Sequence, residues 1–207
     1  MAARFITVRH GETDLSQEDR FRGHIDIDLN TTGIVQAKAT ALRLKDSRQT
    51  VIYSSPLRRA MHTAEIVARH TGATVEPLQD VNDVDFGAWQ GLTMRQAAER
   101  DPLIMQQWIQ HPAAVTFPGG EALQAVYERA GHAADRLNEE HPDQTVIIVS
   151  HAAVCRVLIL HLLGLDISHY WKVTQNNCAI CIFEDRNSRL VAARINDTCH
   201  LKGITSR

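Results

Sequence analysis

Short apolar runs alternate along this chain with longer stretches in which apolar positions recur every three or four residues. Residues 4–8 read as a strand. Asn30 then reads as the N-cap of a helix whose apolar stripe is Ala37, Ala41, Leu42 and Leu44. Residues 51–54 form a second strand, ended by Ser54-Ser55-Pro56. Pro56 fits the first turn of a helix running to about His70, with Ala60, Ala64, Ile66 and Val67 inward and Gly72 as its stop. Residues 74–78 read as a third strand and 121–140 as a long helix. Residues 145–150 are apolar almost throughout, as in a strand buried on both faces. His151 begins a helix to about Leu163, and strands over 179–184 and 190–195 follow. This alternation predicts an α/β protein, a three-layer α/β/α sandwich around a mostly parallel sheet. Residues 80–120 are less regular. They carry Trp89, Trp108, several acids and Phe117-Pro118-Gly119-Gly120. They read as a helical excursion at about 90–120 within a single domain spanning 1–207.

Composition narrows the class. With 44% hydrophobic and 22% charged residues, the chain is that of a soluble globular protein. A net charge of −2 leaves no broad footprint for nucleic acid and no basic membrane patch. No apolar run reaches membrane-spanning length. The opening residues lead straight into a strand, so no signal peptide is expected, and a cytoplasmic location follows. Cys155, Cys178, Cys181 and Cys199 sit in apolar segments and read as buried, reduced thiols. Cys178 and Cys181 have C-x-x-C spacing. In a strand, however, positions three apart face opposite sides, and there is no second pair, so neither a metal site nor a redox site is expected.

The chemistry sits at strand ends. Arg9-His10-Gly11-Glu12-Thr13 follows the first strand directly, so an imidazole and a guanidinium arrive at one edge of the sheet. In open α/β sheets, ligands bind beyond the carboxyl ends of strands. Arg forks onto phosphate oxygens, and His can attack phosphorus. Arg58 and Arg59 stand just past the second strand; about 100° apart on a helix, only one of them is expected to reach the crevice. Ser150-His151-Ala152 puts a second His at a strand end and a helix start, where free N–H groups favour an anion. Asp83 and Asp85 share a face if their stretch is extended. A nucleophile, charge clamps and an acid are what phosphate-ester chemistry needs, with no cofactor and no metal.

Taken together, Arg9-His10-Gly11-Glu12-Thr13, Ser54-Ser55-Pro56-Leu57-Arg58-Arg59-Ala60, Gly87-Ala88-Trp89-Gln90-Gly91 and Val149-Ser150-His151 resemble the histidine phosphatase superfamily, in the branch of the cofactor-dependent phosphoglycerate mutases. The resemblance covers nearly the whole chain and implies a phosphoglycerate mutase-like fold. It implies that His10 is the phosphorylated histidine, Arg9 and Arg59 are clamps, and His151 is the second histidine of the phosphate pocket. Arg58 falls on a variable position and is expected at the surface. Arg22-Gly23 matches a loop bordering the substrate, which His24 adjoins. The stretch 196–200 matches a closing segment of structural role. Three positions depart from the family pattern. Ser16 stands where many members have an Asn on the phosphate. Ala152 stands where many have Gly, with its backbone N–H still available. Asp83 stands where the acid is usually Glu, one methylene longer, with Asp85 as the alternative. Glu121 is either a first-turn helix acid or a substrate-side group. The expected activity is hydrolysis of small phosphorylated metabolites through phosphohistidine. Mutase-type phosphotransfer and a weakly active phospho-ligand-binding pseudoenzyme are the alternatives, and a homodimer is left open.

Overall fold

The computed structural model describes residues 2, 4–17, 20–47, 49–187 and 189–204. Six strands form one sheet: β1 (Arg4–Arg9), β2 (Thr50–Ser54), β3 (Val75–Pro77), β4 (Thr145–Ser150), β5 (Ile180–Asp185) and β6 (Leu190–Asp197). Their spatial order is β3-β2-β4-β1-β5-β6. The first four run parallel, while β5 is antiparallel to β1 and β6 to β5. β4 is buried at every position, as its unbroken apolar run requires.

The helices α1 (Thr31–Leu44) and α2 (Arg58–Thr71) follow β1 and β2. They cover one face, in a core with Ile6, Val8, Ile52, Ile147 and Val149. The helices α5 (Leu123–Glu140) and α6 (Ala152–Leu162) cover the other, in a core with Phe5, Val146, Ile148 and Phe183. Successive residues of β1 and β4 thus feed opposite cores, which gives the three layers. The excursion contains α3 (Met94–Arg100) and α4 (Pro102–Gln110), packed through Trp89, Trp108 and Phe117 onto the α5–α6 side. Asn30 caps α1, accepting from the Gly33 N–H at 2.8 Å, and Gly72 ends α2 in the left-handed region at φ 74°.

Three local expectations shift. Pro56 precedes α2 instead of entering its first turn, because Leu57 holds the extended N-cap position. The long helix begins at Leu123, so Glu121 lies before it and not in its first turn. Cys199 is exposed, in a 3₁₀ turn after β6, whereas the other three cysteines are buried free thiols. Burial pushes the Cys178 thiol up to about 12. Cys178 and Cys181 enter cores on opposite faces of the sheet.

Candidate active site

β1 and β4 are neighbours, yet β1 leads to a helix on one face and β4 to a helix on the other. The crevice between their carboxyl ends is therefore a topological switch point. Arg9 is in register with Ser150, so His10 and His151 stand one residue beyond on adjacent strands. Their ring centroids are 5.1 Å apart. The chain leaves β1 through a tight crossing. A Cβ on Gly33 would lie 2.0 Å from the Glu12 carbonyl oxygen, and one on Gly11 would lie 2.6 Å from that of Gly33. Only glycines let the His10 loop lie this close to the start of α1.

His10 Nδ1 lies 2.6 Å from the Gly11 carbonyl. A carbonyl only accepts, so Nδ1 carries the proton and Nε2 holds the free lone pair. His151 is fixed in the opposite sense. Arg59 Nε donates to His151 Nδ1 at 3.2 Å, so Nε2 bears the hydrogen and donates to Ser55 Oγ at 2.7 Å. Ser55 passes the bond on to Asn82 Oδ1 at 3.0 Å. Burial first, then the positive field of Arg59, holds both imidazoles well below the usual histidine range, so both are neutral at neutral pH.

Arg59 is fully buried, and each of its three nitrogens donates within the protein. Nη1 donates to the Ile25 carbonyl at 2.7 Å, and Nη2 to the Gly23 carbonyl at 2.8 Å and Asp83 Oδ2 at 2.9 Å. Asp83 Oδ2 is also 3.5 Å from His151 Nδ1. Arg9 donates from Nη1 to the Gln175 carbonyl at 2.6 Å, while its buried Nε has no partner. Burial and repulsion from Arg22 lower the Arg9 pKa to about 10, which still leaves it charged.

These groups open into a cavity of about 530 Å³. Arg9, His10, Ser16, Arg22, Asp83, His151 and Ala152 line it, so seven of the residues singled out in the sequence converge there. Arg59 backs the wall behind them. Gly23 does not line the cavity; at φ 51° it presents its carbonyl to Arg59, and a Cβ there would press on the Val84 carbonyl at 2.8 Å. Glu121 is also off the cavity. It forms a two-pronged pair with Arg129, at 2.9 and 3.0 Å, and accepts from the Asp85 N–H. Arg129 in turn donates to the carbonyls of Asp80 and Asp83. Glu121 thus braces the loop that carries Asp83. Asp85 is occupied in accepting from the Gly87 N–H at 2.8 Å. Arg58 is exposed and paired with Asp26. His24, also exposed, braces the Asp83 carbonyl at 2.9 Å.

Sequence reasoning did not single out Ser55 and Asn82 as partners of His151, nor Arg20, Met94, Arg156, Tyr170, Trp171, Gln175 and Asn177 in the cavity wall. One of them had a legible signal. Arg156 is the lone cation in the otherwise apolar α6 sequence AAVCRVLILHL. Among the described residues, no cluster of His, Cys, Asp and Glu is arranged to hold a metal ion, and no helix is long and apolar enough to cross a membrane.

A neutral imidazole with a free Nε2, two guanidiniums, a second imidazole and a carboxyl at one switch point are a set suited to phosphoryl transfer. The chain belongs to the histidine phosphatase superfamily (branch 1), whose profile matches residues 5–198. It is 34% identical to phosphoserine phosphatase 1 of Hydrogenobacter thermophilus, over 96% of this chain and 94% of that one. It is 30% identical to a metal-independent phosphoserine phosphatase of Arabidopsis thaliana, over 96% of this chain and 83% of that one. A solved phosphoserine phosphatase of Entamoeba histolytica, in complex with 3-phosphoglyceric acid, superposes with a TM-score of 0.87 at 28% identity, covering 97% of this chain and all of that one.

Proposed function

We propose that this protein hydrolyses small phosphate monoesters in two steps through a phosphohistidine on His10, without a metal ion. Family membership and the phosphatases among its relatives support the activity. The observation that carries the mechanism is the 2.6 Å bond from His10 Nδ1 to the Gly11 carbonyl. It aims the lone pair of Nε2 into the cavity and keeps the ring in the tautomer that can attack. In the first step Nε2 attacks phosphorus in line. The bond to the ester oxygen breaks, and the leaving oxygen takes its proton from Asp83. Arg9 and Arg59 hold the equatorial oxygens as charge develops on them, and His151 turns its Nε2–H from Ser55 to a third. Phosphate oxygens arriving on Arg59 displace the Asp83 carboxylate from it, and the freed carboxylate takes the proton that the substrate monoanion brings and passes it to the leaving oxygen. In the second step Asp83 takes a proton from water, which attacks the phosphohistidine and releases inorganic phosphate. Ser16 and the Ala152 N–H supply further donors at the cavity wall. The three buried free thiols suit a reducing cytoplasm.

The test is trapping. Brief mixing with a labelled monoester and quenching in alkali is expected to leave phosphate on His10 that is labile in acid, with none on His10→Ala and no turnover by that variant. Robust hydrolysis by His10→Ala would overturn the mechanism. Transfer of the phosphoryl group to a second hydroxyl with no free phosphate would favour mutase chemistry.

A further inference from the structure

Asp83 is held by a framework that extends well beyond the cavity. Its side chain is short, and its Oδ1 accepts from the Val84 N–H of its own loop at 2.9 Å, so the carboxyl moves with the backbone that carries it. Several elements pin that backbone. Ser150 Oγ, at the end of β4, donates to the Val81 carbonyl at 2.7 Å. Arg129, on α5, donates from Nη1 to the Asp80 carbonyl at 2.7 Å and from Nη2 to the Asp83 carbonyl at 3.2 Å. The exposed His24 meets the Asp83 carbonyl as well, but Arg129 alone spans both carbonyls and is itself fixed by the two-pronged pair with Glu121. Glu121 closes the ring. Its Oε2 accepts from the Asp85 N–H at 2.9 Å, and its own N–H donates to the Asp85 carbonyl at 2.9 Å. A Cβ on Gly120 would lie 2.2 Å from that same carbonyl, so the two loops are pressed together. The Glu121–Arg129 pair is half-buried, and such a pair is favourable only when its remaining hydrogen-bonding groups are satisfied. The backbone of the Asp83 loop supplies those bonds. Neither Arg129 nor Glu121 lines the cavity, so neither touches the substrate.

We propose that Arg129, fixed by Glu121, is a positioning residue for proton delivery: it sets the distance from the Asp83 carboxyl to the leaving oxygen. A proton donor works across about 2.6–3.2 Å. Asp has only two side-chain torsions with which to correct an error in backbone position. Without Arg129 the Asp83 carbonyl loses its link to α5, and the carboxyl is displaced with it. His10, Arg9 and His151 stand at the ends of β1 and β4 and keep their places. The cost therefore falls on esters whose leaving oxygen needs a proton, and spares those whose leaving group departs without one. The inference rests on the acid role proposed for Asp83 and adds the residues that set its reach.

The test is the ratio of kcat/KM for p-nitrophenyl phosphate to that for O-phosphoserine, an alkyl ester. In Arg129→Gln the ratio is expected to rise by roughly 10- to 100-fold, the cost of a displacement of about 1 Å at the reacting group. In Glu121→Gln, a milder change that keeps the shape of the side chain, it is expected to rise in the same direction by less. A purely structural role lowers both values by one factor and leaves the ratio where it was, because the folded fraction cancels. In an Asp83→Asn background, Arg129→Gln is expected to add nothing to the ratio, since it acts through that carboxyl. Wild-type ratios in both Arg129→Gln and Glu121→Gln overturn the positioning role, as does a further rise when Arg129→Gln is added to Asp83→Asn. An Asp83→Asn ratio equal to that of wild type defeats the acid assignment itself, and the positioning role with it. No release of phosphate from either ester by the wild type defeats the phosphatase reading as well.

Discussion

The two buried imidazoles make stability depend on pH in a way that can be calculated in advance. His10 and His151 have folded pKa values well below 6.5, from burial and from Arg59. An unfolded chain protonates each ring near 6.5, while the folded chain does not. The unfolded state therefore binds more protons, and stability falls as pH drops below about 6.5. The contribution is fully present above that pH and is lost progressively until the folded pKa is reached. For one ring that stays neutral to pH 5.5, the loss between pH 7 and pH 5.5 is about 1.3 kcal/mol, and for both about 2.5 kcal/mol. Replacing His10 with Asn removes one such site. Urea melts in phosphate-free buffer at pH 7, 6 and 5.5 are expected to show the wild type losing about 1.3 kcal/mol more than His10→Asn across that range, whatever their stabilities at pH 7. Carboxylates common to both chains cancel in the comparison. Wild-type and His10→Asn curves that run parallel would refute the reasoning, because they would mean that His10 gains its proton equally in both states. The same depression keeps the nucleophile unprotonated below neutrality, so the acid limb of kcat/KM is expected to set in below pH 6.

Arg59→Met leaves Asp83 buried without its cation and is expected to cost about 3–5 kcal/mol by denaturant unfolding, with the double variant Arg59→Met/Asp83→Asn recovering part of it. Asp83→Asn is expected to reduce kcat/KM far more for alkyl phosphates than for p-nitrophenyl phosphate, whose leaving group needs little protonation; equal losses would remove Asp83 from the acid role. Ser55→Ala frees Nε2 of His151 from its fixed partner and is expected to shift the pH profile of kcat/KM, which a purely structural role would not do. Vanadate is expected to inhibit strongly, and EDTA to leave activity unchanged; loss in EDTA restored by magnesium would count against a pocket clamped by arginines.

The parts of the site that were legible in the sequence are those set by the ends of strands. His10, Arg9 and His151 follow apolar runs directly, so the periodicity that locates β1 and β4 also locates them. Asp83 was put ahead of Asp85 by what the family resemblance implies for its spacing from Gly87, and the coordinates add that Asp83 bonds to Arg59 while Asp85 accepts from the Gly87 N–H. Glu121 was read as either a helix-start acid or a substrate-side group and Gly23 as part of a loop bordering the substrate; in the structure they contact Arg129 and Arg59. Sequence proximity to a pocket loop does not tell which way a carboxylate or a carbonyl points. Ser55 and Asn82 were missed for a similar reason. Their role depends on a three-dimensional chain of hydrogen bonds from His151, with nothing periodic to mark it. The cavity wall from Met94 to Trp171 is assembled from three segments distant in sequence, and of these only Arg156, a charge in an apolar helix, carried a signal.

The register that sets Arg9 against Ser150 also has a consequence for how the molecule comes into being. β1 is an interior strand, and both strands it pairs with, β4 and β5, lie far along the chain. During synthesis its amide groups wait for partners while some 140 further residues are added, roughly 7–30 s at ordinary elongation rates. Throughout that interval the edges of a strand destined for the sheet interior are open to pairing with the wrong strand. The imidazole proposed to attack phosphorus stands directly after one of the last ladders to close, so the appearance of activity in a translation reaction is expected to be a clock for completion of the sheet.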